Sequence, residues 1–174
     1  MIAMLILSIL LAVAFTAIAI RIEHGLPDSI SALVYYLPRQ MQWLWTLLMW
    51  SVAMLTCIPL IGAMPDKWRS LAFITLGCLM LCGAMPISDS NVSKTAHDVF
   101  GILGGIVSQV CVPFVSPWWL TAWMLWPFLM GSTVIQPEGG DMRRLFKGKG
   151  VLVAECVCSV TLVGALLQYY LFTH

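Results

Sequence analysis

Residues 21–40, RIEHGLPDSISALVYYLPRQ, interrupt a chain that is otherwise almost continuously apolar. The interruption carries four formally charged residues, a histidine and two prolines, and charged side chains are costly inside a membrane span. Residues 1–20 and 41–64 lie on either side, and each is long and apolar enough to cross a hydrocarbon core about 30 Å thick. We therefore predict two membrane spans joined by a polar loop.

The composition of the whole chain agrees with a membrane protein. Of its 174 residues, 60% are hydrophobic and only 10% are charged, whereas a soluble domain has about 25% charged residues. Backbone groups in lipid must be satisfied within a segment, and the alternation of a strand barrel is absent, so we predict an all-α bundle with residues 1–174 as one transmembrane domain. The net charge of +1 offers no basic surface for nucleic acid.

Clusters of charged residues divide the chain into six apolar stretches. Pro113 and Pro117 separate the fourth stretch from the fifth, and a re-entrant pair at this point would instead give four spans plus the pair. No Lys or Arg precedes the first stretch, which favours a retained span over a cleaved signal peptide. The predicted spans are residues 1–20, 41–64, 70–85, 99–112, 118–135 and 151–172.

The distribution of positive charge predicts the orientation of these spans. Seven of the nine Lys and Arg residues lie in the loops 21–40, 86–98 and 136–150. By the positive-inside rule these three loops are cytoplasmic and both termini are outside. We therefore expect a multi-pass protein of a bacterial inner membrane.

The second half of the opening stretch predicts a short helix on the membrane surface. Its apolar residues recur at the helical spacing i, i+3, i+4, i+7: Ile30, Leu33, Val34 and Leu37. Eight helical residues rise only about 12 Å, which is too short to cross the bilayer. We expect Tyr35, Tyr36 and Arg39 to lie at headgroup level, where aromatic residues are enriched. A plain connector without chemistry is the alternative.

A polar pair precedes the fourth stretch. Thr95 and Asp98 have the spacing of a capping box, which predicts a helix start and gives Asp98 a structural role. His97 has no such explanation. A histidine at a membrane interface is either a hydrogen-bonded surface group or a functional group, so His97 and Asp98 are both candidate catalytic residues.

Glu155 lies five residues into the sixth stretch. A carboxylate at that depth is costly and faces a bundle interior, a partner or a water-filled cavity. Hydrogen bonding to a neighbouring helix is the structural alternative. Because the cytoplasmic loops share one face, we predict that five candidate catalytic residues converge there, of which His97 and Glu155 are also candidate metal ligands: Ser29, Ser31, His97, Asp98 and Glu155.

Small and neutral polar residues inside the apolar stretches predict helix packing. Gly101 and Gly105 form a GxxxG spacing, which permits close approach either within the bundle or to a second copy or protein partner. Gln109 and Gln168 are expected to form hydrogen bonds between helices. The six cysteines all lie in apolar stretches, so we predict that they are buried free thiols.

Two short motifs resemble those of a known group of proteins. The sequence PDSISA at 27–32, followed by Tyr35 and Tyr36, and His97 with the FG at 100–101 resemble uncharacterised bacterial six-helix inner-membrane proteins. The resemblance covers most of the chain in the order of its features and implies a six-helix fold. It also implies a distant relation to the ceramidase and adiponectin-receptor-like membrane hydrolases, which hold zinc with three histidines. The chain departs from that pattern because His174 is predicted at the face opposite its other two histidines, so no cofactor is predicted.

Three classes of function follow from these features. The sequence lacks GxSxG, HExxH and nucleotide-binding motifs. This favours a non-enzymatic protein in the lipid bilayer, either a binder of a lipid or small molecule or a subunit of a membrane assembly. A membrane-embedded lipid hydrolase with its site at the cytoplasmic face is the first alternative. A small transporter or channel subunit is the second, although the two halves of the chain show no repeat.

Overall fold

The computed structural model describes residues 1–23, 27–31, 34, 37–85, 91–127 and 149–173, and these residues form helices and turns without a strand. The all-α prediction is therefore confirmed over this part of the chain. Five α-helices follow one another: α1 (Ile2–Glu23), α2 (Trp43–Ala63), α3 (Arg69–Ala84), α4 (Asn91–Val115) and α5 (Gly150–Phe172).

Three of the described helices are long and apolar enough to cross a membrane. They are Arg39–Ala63, Thr95–Val115 and Gly150–Phe172, and they suggest a membrane protein, as the composition predicts. The apolar part of α1 is a shorter stretch, Ile2–Ile18. The 16 residues of α3 rise about 24 Å at 1.5 Å per residue. The described helices thus include three candidate spans, where the sequence predicts six.

Helix α4 differs from its prediction at both ends. It begins at Asn91 and continues through Pro113 to Val115, whereas the sequence predicts residues 99–112. A proline removes one hydrogen bond from a helix, but membrane helices tolerate this when neighbouring groups satisfy the freed carbonyl. Thr95 and Asp98 lie inside the helix, so the prediction that they form a capping box at its start is wrong.

Residues 117–127, here called the tryptophan segment, also depart from the prediction. The segment begins as a 3₁₀ helix, Pro117–Met124, where the sequence predicts an α-helical span starting at Trp118. Three indole N–H groups fix the segment along α5 and α4. Trp119 donates to Gln168 Oε1 (2.7 Å), Trp123 to Gln109 Oε1 (2.8 Å) and Trp126 to Gly150 O (3.1 Å). The rest of the predicted fifth span, residues 128–135, lies outside the described residues.

The helices pack into a bundle whose buried residues form two clusters. Helix α3 lies between α2 and α4, and α5 packs against α4 and the tryptophan segment and also touches α1 and α2. The larger cluster lies at the end of the bundle where α2, α4 and α5 end, and it includes Leu5, Leu60, Cys111 and Leu166. The smaller cluster lies at the opposite end around Trp45.

The smaller cluster accounts for the apolar stripe of the opening stretch. Ile30, Val34 and Leu37 pack with Trp45 and Phe15, so the stripe faces the bundle. The described residues of this region form turns, with Leu37 N–H donating to Val34 O at 3.3 Å. Leu33, Tyr35 and Tyr36 lie outside the described part, so the continuous surface helix and the depth of the two tyrosines stay predictions. Arg39 opens a 3₁₀ turn, Arg39–Met41, that leads into α2 and is exposed.

The glycines of α4 face neighbours within the chain. A Cβ at Gly104 would lie 3.1 Å from Cys78 Cβ on α3, and one at Gly101 would lie 3.5 Å from Cys82 Sγ. Gly105 faces α5, where a Cβ would lie 3.9 Å from Cys158 Sγ. Small residues here allow α3 and α4 to approach closely. Association with a second copy or a partner through this spacing stays a prediction.

The cysteines bear out the prediction in all but their burial on α5. All six are free thiols, and Cys57, Cys78, Cys82 and Cys111 are buried. Cys156 is exposed and Cys158 is partly exposed. The prediction that every cysteine is buried is therefore wrong for α5, because hydropathy does not tell which face of an apolar helix meets the bundle.

Candidate functional site

Residues 28–31 contact the beginning of α5, and we call the contact between 28–31 and 149–155 the polar junction. The first N–H groups of a helix have no partner within it. Asp28 O accepts the N–H of Leu152 at 3.2 Å and so satisfies one of them. The Asp28 carboxylate also receives a hydrogen bond from Lys149 Nζ at 2.5 Å. The main chain and the side chain of Asp28 therefore both attach the loop to α5.

Glu155 makes the second half of the polar junction. Its Oε2 accepts the Ile30 N–H at 2.5 Å, and its Oε1 accepts Ser31 Oγ at 3.4 Å. Ser29 Oγ lies 3.0 Å from Ser31 Oγ. A carboxylate that accepts N–H and O–H groups near a helix N-terminus is stabilised by charge-assisted hydrogen bonds and by the helix dipole. The structure thus brings together Ser29, Ser31 and Glu155, and their catalytic role stays a prediction.

His97 is buried between α4 and α3, with 3% of its surface exposed. Its Nδ1 lies 2.9 Å from Cys82 O and 2.9 Å from Met85 O. Both carbonyls belong to the end of α3, where the last carbonyls of a helix lack partners within it. Because carbonyls only accept, Nδ1 carries the proton. His97 therefore closes the end of α3, while Asp98 beside it is exposed.

The two candidate metal ligands have different partners. His97 bonds to the end of α3, and Glu155 bonds to the loop that follows α1. Within the described residues, no group of three or more His, Cys, Asp or Glu is arranged to hold a metal ion. His24 and His174 lie outside those residues. The hypothesis of a metal site at His97 and Glu155 therefore gains no third ligand from this part of the chain.

A buried amide network in the middle of the bundle involves partners that the sequence does not reveal. Gln109 Nε2 donates to Cys158 O at 3.1 Å. Its Oε1 accepts Thr161 Oγ1 at 2.6 Å as well as the indole N–H of Trp123. The predicted hydrogen bond between helices is present, and it extends to the tryptophan segment. Hydropathy counts Trp123 as apolar, so its role as a donor gives no signal in the sequence.

A second network lies toward the end of α5. Gln168 Oε1 accepts both Ser116 Oγ at 3.0 Å and Trp119 Nε1 at 2.7 Å. The Trp119 ring lies directly over Gly164, where an added Cβ would be only 2.5 Å from the ring Cε3 atom. Gly164 and Gln168 are spaced i, i+4 and share a helix face. That spacing of a glycine and a glutamine is the one sequence signal that could have indicated an aromatic contact here.

Two open grooves lie on the surface of the bundle. The first, the apolar groove, has a volume of about 490 Å³ between α1, α2 and α3 and is lined by Leu7, Leu11, Trp50, Ser51, Met54, Leu55 and Met80. The second, the amide groove, has a volume of about 500 Å³ and is lined by Trp118, Trp119, Thr121, Ala122, Leu125 and Gln168. None of the candidate catalytic residues lines either groove.

No protein-family model, curated protein or solved structure matches this chain. The resemblance to six-helix bacterial membrane proteins therefore depends on the residues 27–36 and 97–101. Of those, Ser31 and His97 have contacts that join separate parts of the chain.

Proposed function

We propose that this chain is a non-enzymatic integral membrane protein that binds a lipid or another apolar small molecule in the apolar groove. The observation that carries the proposal is a contrast in availability. The conspicuous polar groups Glu155 and His97 are bonded within the chain, whereas the groove between α1, α2 and α3 is open. A groove of about 490 Å³ falls within the range of small-molecule pockets, about 300–1,000 Å³.

The lining of the apolar groove suits a flexible hydrocarbon chain. Met54 and Met80 are adaptable side chains that follow irregular apolar shapes. Trp50 donates its indole N–H to Met80 O at 2.9 Å, which fixes the wall formed by α2 and α3. In a bilayer the open side of this groove meets acyl chains, so the ligand class is available without a path from water.

The topology belongs to the same proposal. We infer six spans in a bacterial inner membrane, with both termini outside and the loops 21–40, 86–98 and 136–150 in the cytoplasm. The positive-inside count supports this orientation. Two contacts support the shared location of these loops: Asp28 with Lys149, and His97 with Met85.

A pair of matched substitutions on α1 tests the binding proposal. Leu7 lines the groove and is 47% exposed, whereas Leu10 is 59% exposed and does not line it. Leu7→Trp should fill the groove and weaken binding of a pyrene-labelled phospholipid roughly ten-fold, a loss of about 1.4 kcal/mol. Energy transfer from tryptophan to pyrene in detergent micelles measures the binding. Equal effects of Leu7→Trp and Leu10→Trp would refute the proposal.

One contact favours the alternative of a membrane-embedded lipid hydrolase. Ser31 Oγ donates to Glu155 Oε1 at 3.4 Å, and Ser29 is adjacent, so a carboxylate lies beside two hydroxyls. A carboxylate in this position can activate a hydroxyl nucleophile. Hydrolysis of a fluorogenic lipid ester by the purified protein, abolished by both Ser31→Ala and Glu155→Gln, would replace the binding proposal with the enzyme. Absence of hydrolysis in the unaltered protein would remove this alternative.

A further inference from the structure

The side-chain amide of Gln168 has a fixed orientation. Ser116 Oγ and the Trp119 indole N–H both donate to it, and only its oxygen can accept two donors. The NH₂ group must therefore point away from these two residues. Gln168 lines the amide groove, and its Nε2 has no acceptor among the residues that the structure describes. The groove thus contains two N–H donors without a protein partner.

The walls of the amide groove are held in place by packing. The ring of Trp119 lies against Gly164, where there is no room for even a methyl group. The neighbouring Trp118 is 76% exposed and forms the outer wall. Thr121 uses its hydroxyl hydrogen on Trp118 O at 2.7 Å, so it is not a donor to a ligand. The groove therefore offers two aromatic surfaces and one amide NH₂ group.

The position of Gln168 along α5 indicates what lies opposite the amide in a membrane. It is four residues from Phe172, the last residue of α5, which is a rise of about 6 Å. An apolar helix that spans a bilayer ends near the headgroups, and tryptophans prefer that interface. The groups found just below the headgroups are the ester carbonyls of glycerophospholipids, and these are hydrogen-bond acceptors.

We propose that the amide groove binds a glycerophospholipid of the surrounding membrane, with Gln168 Nε2 donating a hydrogen bond to one of its ester carbonyls. Trp118 and Trp119 pack against the glycerol region and the first methylenes of the acyl chain. This site is separate from the apolar groove and does not depend on the function proposed for that groove. A buried donor without an acceptor is costly, so the lipid carbonyl completes the hydrogen bonding of the amide.

Replacing the ester by an ether tests this hydrogen bond directly. Diacyl and dialkyl phosphatidylglycerol with equal chains differ at the glycerol only in the carbonyls. Native mass spectrometry of the detergent-solubilised protein should show that the diacyl lipid binds roughly three- to ten-fold tighter, as expected for one hydrogen bond. A ratio near one in the unaltered protein would overturn the proposal, and this measurement needs no variant.

A nearly isosteric variant assigns the preference to Gln168. Gln168→Glu at pH 8 keeps an oxygen for Ser116 and Trp119 but loses the NH₂ group, so the ester preference should fall to about one. The matched control Gln40→Glu makes the same change on an exposed residue and should keep the preference. A preference that persists in Gln168→Glu would contradict the proposal.

A third variant covers the case in which Gln168→Glu does not fold. Ala122 lines the groove without contacting the amide oxygen, and Ala122→Trp should block the groove. Binding of both lipids should then fall by a similar factor. Unchanged binding of both lipids would show that the lipid binds elsewhere.

Discussion

The polar junction and the amide groove lie toward opposite ends of α5 and use their polar groups in opposite ways. At the junction, Glu155 accepts hydrogen bonds from Ile30 and Ser31 of the same chain. At the groove, Gln168 uses its oxygen within the chain and presents its NH₂ group to open space. A buried charge must be paired at once because its desolvation is expensive. A neutral amide costs less, so it can keep one side available to a ligand.

The comparison teaches that the most conspicuous residue need not be the functional one. Charge inside an apolar helix draws attention to Glu155, yet its contacts attach a loop to α5. The residues of the amide groove are individually ordinary, and only their arrangement makes a site. The two ends can be perturbed separately, which makes the difference between them testable.

The largest expected effect is at the groove end. Gly164→Ala would place a methyl group against the Trp119 ring, so the ring or the helix must move. Overpacking of this kind should lower the free energy of unfolding by about 3 kcal/mol. Thermal unfolding in detergent measures it. Gly77→Ala is the matched control, because a Cβ there meets nothing within 4 Å. Equal destabilisation by the two variants would mean that Trp119 does not lie on α5.

The next largest effect is at the polar junction. Glu155→Ala removes the acceptor of the Ile30 N–H and should destabilise the protein by about 2 kcal/mol. Glu155→Gln keeps an acceptor oxygen and should cost about half as much. Unfolding by a denaturing detergent measures both. If the two variants were equally destabilised, the loss would come from packing rather than from the hydrogen bonds, and the contrast with Gln168 would disappear.

A smaller effect is expected from the ion pair of the junction. The Asp28 side chain is 80% exposed and that of Lys149 is 21% exposed, so solvent screens the pair. Asp28→Asn should cost at most about 1 kcal/mol, and the cost should shrink at high salt. Unfolding at low and high salt measures it. A cost that does not change with salt would show that the main-chain bond from Leu152, and not the charge, was disturbed.

The smallest expected quantity is the coupling between His97 and Glu155. Because the two side chains bond to different elements, the double variant His97→Ala with Glu155→Ala should be additive within about 0.5 kcal/mol. A double-mutant cycle of unfolding free energies measures it. A coupling well above that value would place the two residues in one site and would revive the metal and hydrolase hypotheses.

Much of the fold could be predicted because it follows from hydropathy. Apolar length predicts the helices, and shared loop sidedness predicts that residues 28–31 meet the beginning of α5. The bounds of α4 could not be predicted, because Pro113 indicates a break in soluble proteins, whereas packing allows the helix to continue. The tryptophan segment failed for a similar reason. Its composition resembles a span, but hydrogen bonds from Trp119 and Trp123 favour a tighter helix along α5.

The candidate site was predicted less completely than the fold. Topology was sufficient to place Ser31 near Glu155, since both belong to one end of the bundle. The same reasoning placed His97 with them, and the structure instead gives it carbonyl partners on α3. The difference arises because topology fixes the depth of a side chain and not its direction around the helix axis. Gln168 was recognised as a packing residue, but the free side of its amide depends on two donors that are far away in the sequence.

The polar junction has a consequence for the order in which the protein is made. Ile30 and Glu155 are 125 residues apart, so their hydrogen bond cannot form until nearly the whole chain has left the ribosome. Contacts of such long range form late, because the intervening chain must first be ordered. The loop between α1 and α2 therefore waits for α5 throughout synthesis. A nascent chain that stops before Gly150 would have both an unanchored loop and an incomplete amide groove, because the last helix completes both ends of the bundle in one step.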